Sequence, residues 1–129
     1  MKIKSFDHIS INCRDPEASF RFYEQILGLK KLKETDLGTH VLHNYDLFGV
    51  SLDLIVYRNP QKEIESGNTD TGIYRHMALI VDDLDEAYNQ VKEAGCKINL
   101  EPKYIPALDD IIFLFVDPNG VEIEMIQAK

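Results

Sequence analysis

The side chains in this sequence whose types and spacing suit chemistry are two histidines and two carboxylates that recur in the same order. His8 opens an apolar alternating stretch, Asp7-His8-Ile9-Ser10-Ile11, and His76 opens another, Arg75-His76-Met77-Ala78-Leu79. Asp53 lies inside Ser51-Leu52-Asp53-Leu54-Ile55, and Glu124 inside Val121-Glu122-Ile123-Glu124-Met125. The histidines are 68 residues apart and the carboxylates 71. Two imidazoles with two carboxylates are a donor set for one divalent metal ion. A lone histidine on a half-buried strand is ordinarily a hydrogen-bonded structural residue. The recurrence, each time with a carboxylate following in the same half, is what favours ligation. The chain therefore reads as a duplicated module that builds a metal site from both copies.

The elements that must position these residues also recur. In the first copy Phe6 to Arg14 alternates as a strand. Asp15-Pro16 has the form of a helix N-cap followed by proline at the first helical position. Phe22, Tyr23, Ile26 and Leu27 follow at helical spacing, Ser19 extends that face, and Gly28 is a C-terminal stop. Strands are then expected over Lys30–Glu34, His40–Tyr45 and Val50–Tyr57. In the second copy Arg75–Val81 is a strand, and Asp83 with Glu86 forms a capping box. Leu84, Ala87, Tyr88 and Val91 mark the helix face, which Gly95 ends. Ile98–Leu100, Ile111–Val116 and Glu122–Gln127 are the remaining strands, the last two joined by a turn at Asp117-Pro118-Asn119-Gly120. The order β-α-β-β-β thus occurs twice, over 1–57 and 73–129, with a polar linker over 58–72, inside a single domain spanning 1–129. Glu101 to Asp110, with two prolines, reads as a long loop able to cover a site.

Side chains alternate across a strand, so parity assigns faces. His8, Ser10 and Asn12 oppose Ile9, Ile11 and Cys13. Ser51, Asp53, Ile55 and Tyr57 oppose Leu52, Leu54 and Val56. His76, Ala78 and Ile80 oppose Met77, Leu79 and Val81, and Glu122, Glu124 and Ile126 oppose Val121, Ile123 and Met125. All four candidate ligands lie on the faces that lack the uniform apolar pattern. The apolar faces pack on the helices and the others are left to line a cleft. Parity does not separate Glu122 from Glu124.

The bulk properties exclude several classes. A chain of 129 residues is one domain by length, and its formal charge of −8 argues against nucleic acid and anionic membranes as partners. No apolar run approaches the length of a membrane span, about 20 residues. The first residues lack the apolar core of a signal peptide, so a cytoplasmic protein is the expectation. In such a compartment Cys13 and Cys96 are expected as thiols, with Cys13 packed in the core.

This organisation resembles the vicinal oxygen chelate superfamily, which includes glyoxalase I. The landmarks are Asp7-His8-Ile9, the run from Phe22-Tyr23 to Leu27-Gly28-Leu29, His76-Met77-Ala78-Leu79, and Asp117-Pro118-Asn119-Gly120-Val121-Glu122-Ile123-Glu124. The resemblance implies an α+β fold of two βαβββ modules, forming a curved eight-strand sheet cleft with helices outside. It also implies one divalent metal ion, nickel or zinc first, with cobalt, manganese or iron as the other choices. The implied ligands are His8, Asp53, His76 and Glu124, and it is the resemblance that selects Glu124 over Glu122. The implied activity is that of a metal-dependent lyase or isomerase. It transfers a proton next to a carbonyl through a metal-bound enediolate, with Glu124 as base, Asp53 assisting, and a methylglyoxal–thiol adduct as the first substrate to consider. A homodimer is implied as well, with the site inside one chain or shared between two.

Three positions depart from the glyoxalase I pattern. Asp53 stands where Glu or Gln is common. Asn12 stands where an Arg, and Tyr57 where an Asn, help hold glutathione. The alternatives on the same scaffold are an epimerase, an antibiotic thiol transferase, a two-histidine, one-carboxylate dioxygenase, or a protein that binds and sequesters a small molecule without catalysis. Other residues receive plainer readings. His40 and His43 are read as surface residues and Glu122 as a solvated edge-strand carboxylate. Asp82-Asp83-Leu84-Asp85-Glu86 is read as a helix start whose acidic groups complement the dipole. Tyr57, Tyr74, Tyr104 and Phe113 are candidates either for a substrate pocket or for ordinary core.

Overall fold

The computed structural model describes residues 1–2, 4–59, 62–63, 71 and 74–129. Much of the expected linker, at 60, 61, 64–70 and 72, lies outside the described residues. The chain divides into two compact units, Met1–Glu63 and Ile64–Lys129. Each is a four-stranded sheet with its own helical segment, so the α+β reading and the doubled element order hold.

The first unit runs β1 (His8–Asn12), α1 (Pro16–Arg21), β2 (Lys30–Asp36), β3 (His40–Leu47) and β4 (Val50–Tyr57). Asp15 caps α1 by accepting a bond from the Ala18 amide at 3.1 Å, and Pro16 takes the first helical position. The helix does not run as a regular α-helix to Gly28. Over Phe22–Ile26 it widens into a π-type turn, in which the Leu27 amide reaches back to the Phe22 carbonyl at 3.0 Å. Gly28, at φ +69, then reverses the chain into β2. The strand order is β1-β4-β3-β2, with β1 parallel to β4 and the other pairs antiparallel. Leu52 and Leu54 of β4, with Tyr23 and Tyr45, are fully buried. The Tyr45 hydroxyl donates to Glu24 at 2.7 Å, tying the π-type turn to β3.

The second unit repeats the plan as β5 (Met77–Val81), α2 (Leu84–Glu93), β6 (Lys97–Ile105), β7 (Asp110–Val116) and β8 (Glu122–Gln127), in the order β5-β8-β7-β6. Asp83 caps α2 through the Glu86 amide at 2.9 Å, so the acidic cluster is the helix start it was read as. α2 packs on β6, β7 and β8, over Phe113, Phe115 and Ile123. The expected long loop over Glu101–Asp110 is absent. β6 continues to Ile105, and a turn over 106–109 closes a hairpin. Pro102 is tolerated because β6 is an outer strand, and the register shifts between Leu100 and Lys103.

His43 is not a surface residue. It is buried on β3 with its ring centroid 4.5 Å from that of Phe20 and its Nδ1 3.3 Å from Glu34. His40 is half-buried beside Tyr57, with ring centroids 5.1 Å apart. Of the four candidate pocket aromatics, Phe113 is core, whereas Tyr74 and Tyr104 are exposed. Cys13 and Cys96 are half-buried thiols, and burial pushes the Cys96 thiol up.

Burial outweighs the nearby Glu34 charge and holds the His43 imidazole below its ordinary value of 6.5. As pH falls through 6.5, the unfolded chain takes up a proton at this ring that the folded chain refuses. Stability from His43 is therefore complete above that value, declines as pH falls through it, and levels off once the folded ring is protonated too. The stability gap between the native protein and His43→Gln should narrow in urea unfolding as pH is lowered from 7.5 to 5.5. A gap independent of pH would contradict this.

Candidate functional site

Each unit places one histidine at the start of its first strand and one carboxylate on its last, in the same register, and in the second unit the two are in contact. In the first, His8 is the first residue of the edge strand β1, and Asp53 of β4 pairs with Ser10, two residues further on. In the second, His76 directly precedes β5, and Glu124 of β8 pairs with Ala78, again two residues further on. Asp53 and Glu124 are thus equivalent positions, as are Ser51 and Glu122. The parallel pairing of first and last strands produces this equivalence. Among the described residues of either unit, no three His, Cys, Asp or Glu side chains gather into a metal-holding group, so each unit offers a pair.

The pairs differ in how they are held. The His8 side chain is half exposed, and its Nδ1 lies 2.7 Å from Asp7 Oδ2. With Nδ1 carrying the hydrogen, Nε2 keeps its lone pair, the tautomer a metal-binding imidazole adopts when a carboxylate orients it. The hydrogen bond that His8 donates to Asp7, then the charge of Asp53, raise the His8 pKa above its ordinary value. Asp53 itself is only 7% exposed. Its Oδ1 accepts from Asn44 Nδ2 at 2.5 Å and from Ser51 Oγ at 2.6 Å. A buried carboxylate requires such partners. Asn44 comes from β3, where it is the register partner of Asp53.

In the second unit His76 Nε2 lies 2.8 Å from Glu124 Oε2, and both side chains are largely buried. Its Nδ1 is buried and has no hydrogen-bond partner among the described residues. The nearest carboxylate to that atom is Glu122, with Oε1 at 3.7 Å. Glu122 is not the solvated edge-strand residue expected from the sequence. β8 is an inner strand, Glu122 is 2% exposed, and it is paired with Arg75 and with Asn99 Nδ2, the latter at 2.6 Å. The sequence signals that would have revealed this are Arg75 beside His76 and an asparagine at the start of β6.

Taken unit by unit, the donor types suit a divalent ion: in the second unit Glu124 and His76 Nε2 already converge, and in the first the His8 ring is held at Nδ1 by Asp7. Asp53 fits less freely, because one of its two oxygens is committed to Asn44 and Ser51. Asn12 is exposed at the end of β1, and Tyr57 lies against His40.

A fold of two βαβββ units carrying such pairs belongs with a large group of small-molecule enzymes and binding proteins. The family model of the Glyoxalase/Bleomycin resistance protein/Dioxygenase superfamily matches residues 5–125, and the chain belongs to that superfamily. The lactoylglutathione lyase of Salmonella typhimurium is 28% identical over 130 residues, spanning 95% of this chain and 91% of that protein. The lactoylglutathione lyase of Neisseria meningitidis is 30% identical over 128 residues, spanning 95% and 89%. The crystal structure of a glyoxalase family protein from Enterococcus faecalis matches with a TM-score of 0.81 at 21% identity, covering 98% of this chain and all of the other. That likeness concerns the fold. No helix among the described residues is long and apolar enough to cross a membrane.

The Asn44–Asp53 bond is the strongest restraint on the first pair. Asn44→Ala should lower the unfolding free energy by about 1.5–3 kcal/mol, the range for a hydrogen bond to a charged group. In a double-mutant cycle with Asp53→Ala most of that loss should vanish, because the partner it served is gone. Additive losses would show that the two side chains act independently.

Proposed function

We propose that this protein is a metal-dependent lyase or isomerase of the glyoxalase I type, transferring a proton next to a carbonyl of a small-molecule substrate. The observation that carries the reading is the shared register of His8 with Asp53 and His76 with Glu124 on matching strands of two like units. The names of the relatives, lactoylglutathione lyases, support the same class. In this reading His8, Asp53, His76 and Glu124 hold one divalent ion, nickel or zinc before cobalt, manganese or iron. A bound ion would act as a Lewis acid toward two adjacent substrate oxygens, easing the negative charge that develops beside the carbonyl.

Glu124 is the proton-transferring base. It already engages a hydrogen-bonding partner, His76 Nε2, and its side chain is only 12% exposed, so water competes little for its oxygens. It is one methylene longer than Asp53 and does not share Asp53's two short bonds on one oxygen, so it has the reach to approach a substrate carbon. Asp53, held by Asn44 and Ser51, is the fixed member and assists. The substrate proposed is an adduct of methylglyoxal with a low-molecular-weight thiol. A weak preference for glutathione follows from Asn12 and Tyr57 at the positions where glyoxalase I carries Arg and Asn. The working assembly is a homodimer, which light scattering would test, in a cytoplasmic setting.

One observation favours a second reading. If Asn44 and Ser51 keep Asp53 occupied, the remaining set is two histidines and one carboxylate, the ligand set of iron(II) oxygenases. Iron-dependent oxygen consumption with a vicinal diol, unchanged in Asp53→Ala, would select it.

The main reading predicts that His8→Ala and His76→Ala each lose most of the metal found by elemental analysis of the native protein. Asp53→Ala should lose less than Glu124→Ala. Glu124→Gln should keep most of the metal, because an amide oxygen can still ligate. It should lose about 100-fold or more in metal-dependent deuterium exchange into hydroxyketone or hemithioacetal substrates, because it cannot accept the proton. Full exchange in Glu124→Gln would move the base elsewhere, and no exchange by the native protein across a broad panel would sink the activity.

A further inference from the structure

Glu122 stands outside the proposed ligand set, yet it is the most deeply buried acidic side chain described in the second unit. Arg75 pairs with its Oε1, and Asn99 Nδ2 donates to its Oε2 at 2.6 Å. These anchors come from two places, Arg75 ahead of β5 and Asn99 on β6, so the carboxylate is gripped from both sides of β8. A carboxylate has about four acceptor positions, and two bonds leave one open on each oxygen. Oε1 lies 3.7 Å from His76 Nδ1, and that nitrogen is buried without a hydrogen-bond partner among the described residues.

Resting on the metal-site reading above, we propose that Glu122 is the positioning residue of His76: it receives the Nδ1–H and so presents Nε2 as the ligating nitrogen. The gap exceeds a hydrogen bond by roughly 0.7 Å, taking about 3.0 Å as the usual N···O length. In the structure the ring is drawn the other way, with Nε2 on Glu124 Oε2 at 2.8 Å. An ion held by Nε2 would displace the hydrogen that this nitrogen now donates to Glu124, and the neutral ring would then carry its one hydrogen on Nδ1, where Glu122 would accept it. The carboxylate, pinned by Arg75 and Asn99, stays where it is.

The first unit shows the same chemistry already formed. There His8 Nδ1 meets Asp7 Oδ2 at 2.7 Å, leaving Nε2 as the nitrogen with the free lone pair when Nδ1 carries the hydrogen. The position equivalent to Glu122 in that unit is Ser51, which serves Asp53 instead. The two units therefore orient their ligands with different neighbours. A purely structural role for Glu122 as the partner of Arg75 is the competing account. It explains the pair but not the nearness of a carboxylate to a ring nitrogen that has no hydrogen-bond partner among the described residues. A buried ion pair is in any case a weak source of stability compared with apolar packing.

The test uses the full chain and zinc alone. Zinc affinity is measured by calorimetric titration at one fixed pH for the native protein, Glu122→Leu, and Arg75→Leu with Glu122→Leu, changes that remove the acceptor altogether, the double variant serving if the single one does not fold. Folding of each metal-free protein is checked by circular dichroism. A parallel measurement records the histidine ring nitrogens of the zinc-loaded native protein by ¹⁵N NMR. Zinc affinity should fall about 10–100-fold in the folded variants, the usual cost of losing such an orienting partner. The His76 ring should bind through Nε2 with Nδ1 protonated. Affinity within threefold of native, or ligation through Nδ1, would overturn the assignment while leaving the metal site intact. Native protein that takes up no zinc, or zinc binding untouched by His76→Ala, would overturn the metal-site reading and this inference with it.

Discussion

In each unit the first strand lies parallel to the last, and this pairing decides which polar side chains meet. It places the histidine on an edge strand, or just ahead of one, and the carboxylate on an inner strand. Edge and interior carry different costs. An edge histidine keeps access to water, as His8 does. A carboxylate on an inner strand is withdrawn from water and must find donors within the protein. The hydrogen bonds around Asp53, and the grip of Arg75 and Asn99 on Glu122, are the structural answer to that requirement. The rest of the site follows from where the inner strands place their acids.

The two units meet this requirement differently, although their backbones repeat. Asn44 and Leu114 are equivalent, each the register partner of the candidate ligand carboxylate on the neighbouring strand. Asn44 ties Asp53 down, whereas Leu114 offers Glu124 nothing to bond, and His76 takes up that role. One acid is thereby fixed and the other is left with a single exchangeable partner.

Much of the fold was legible because alternation and capping are local. Asp15-Pro16 and Asp83 marked the helix starts, and Val50–Tyr57 and Glu122–Gln127 matched the observed strands. That His8 with Asp53, and His76 with Glu124, stand at matching register positions was legible because duplication repeats the spacing. The misses are non-local. Pro102 suggested a loop, but an outer strand does not need the missing N–H, so β6 ran on. The π-type turn at Phe22–Ile26 has the same apolar spacing as a regular helix and differs only in hydrogen bonding. Glu122 and His43 looked solvated because charge and polarity are read residue by residue. Their burial comes from neighbours distant in sequence: Arg75 and Asn99 for one, Phe20 and Glu34 for the other.

The outer strands have a consequence beyond the site. Every open sheet edge is a template on which a foreign strand can add, and proteins blunt such edges with lysine, proline and bulges. β2 carries Lys30, Lys31 and Lys33 with a register shift between the last two, and β6 carries Lys97, Pro102 and Lys103 with two shifts. Both are thus poor templates. β5, by contrast, reads Met-Ala-Leu-Ile-Val with no charge and no proline, and its Ile80 is well exposed. In a crowded solution of partly unfolded chains, resistance to fibre growth is built into β2 and β6, and β5 lacks it.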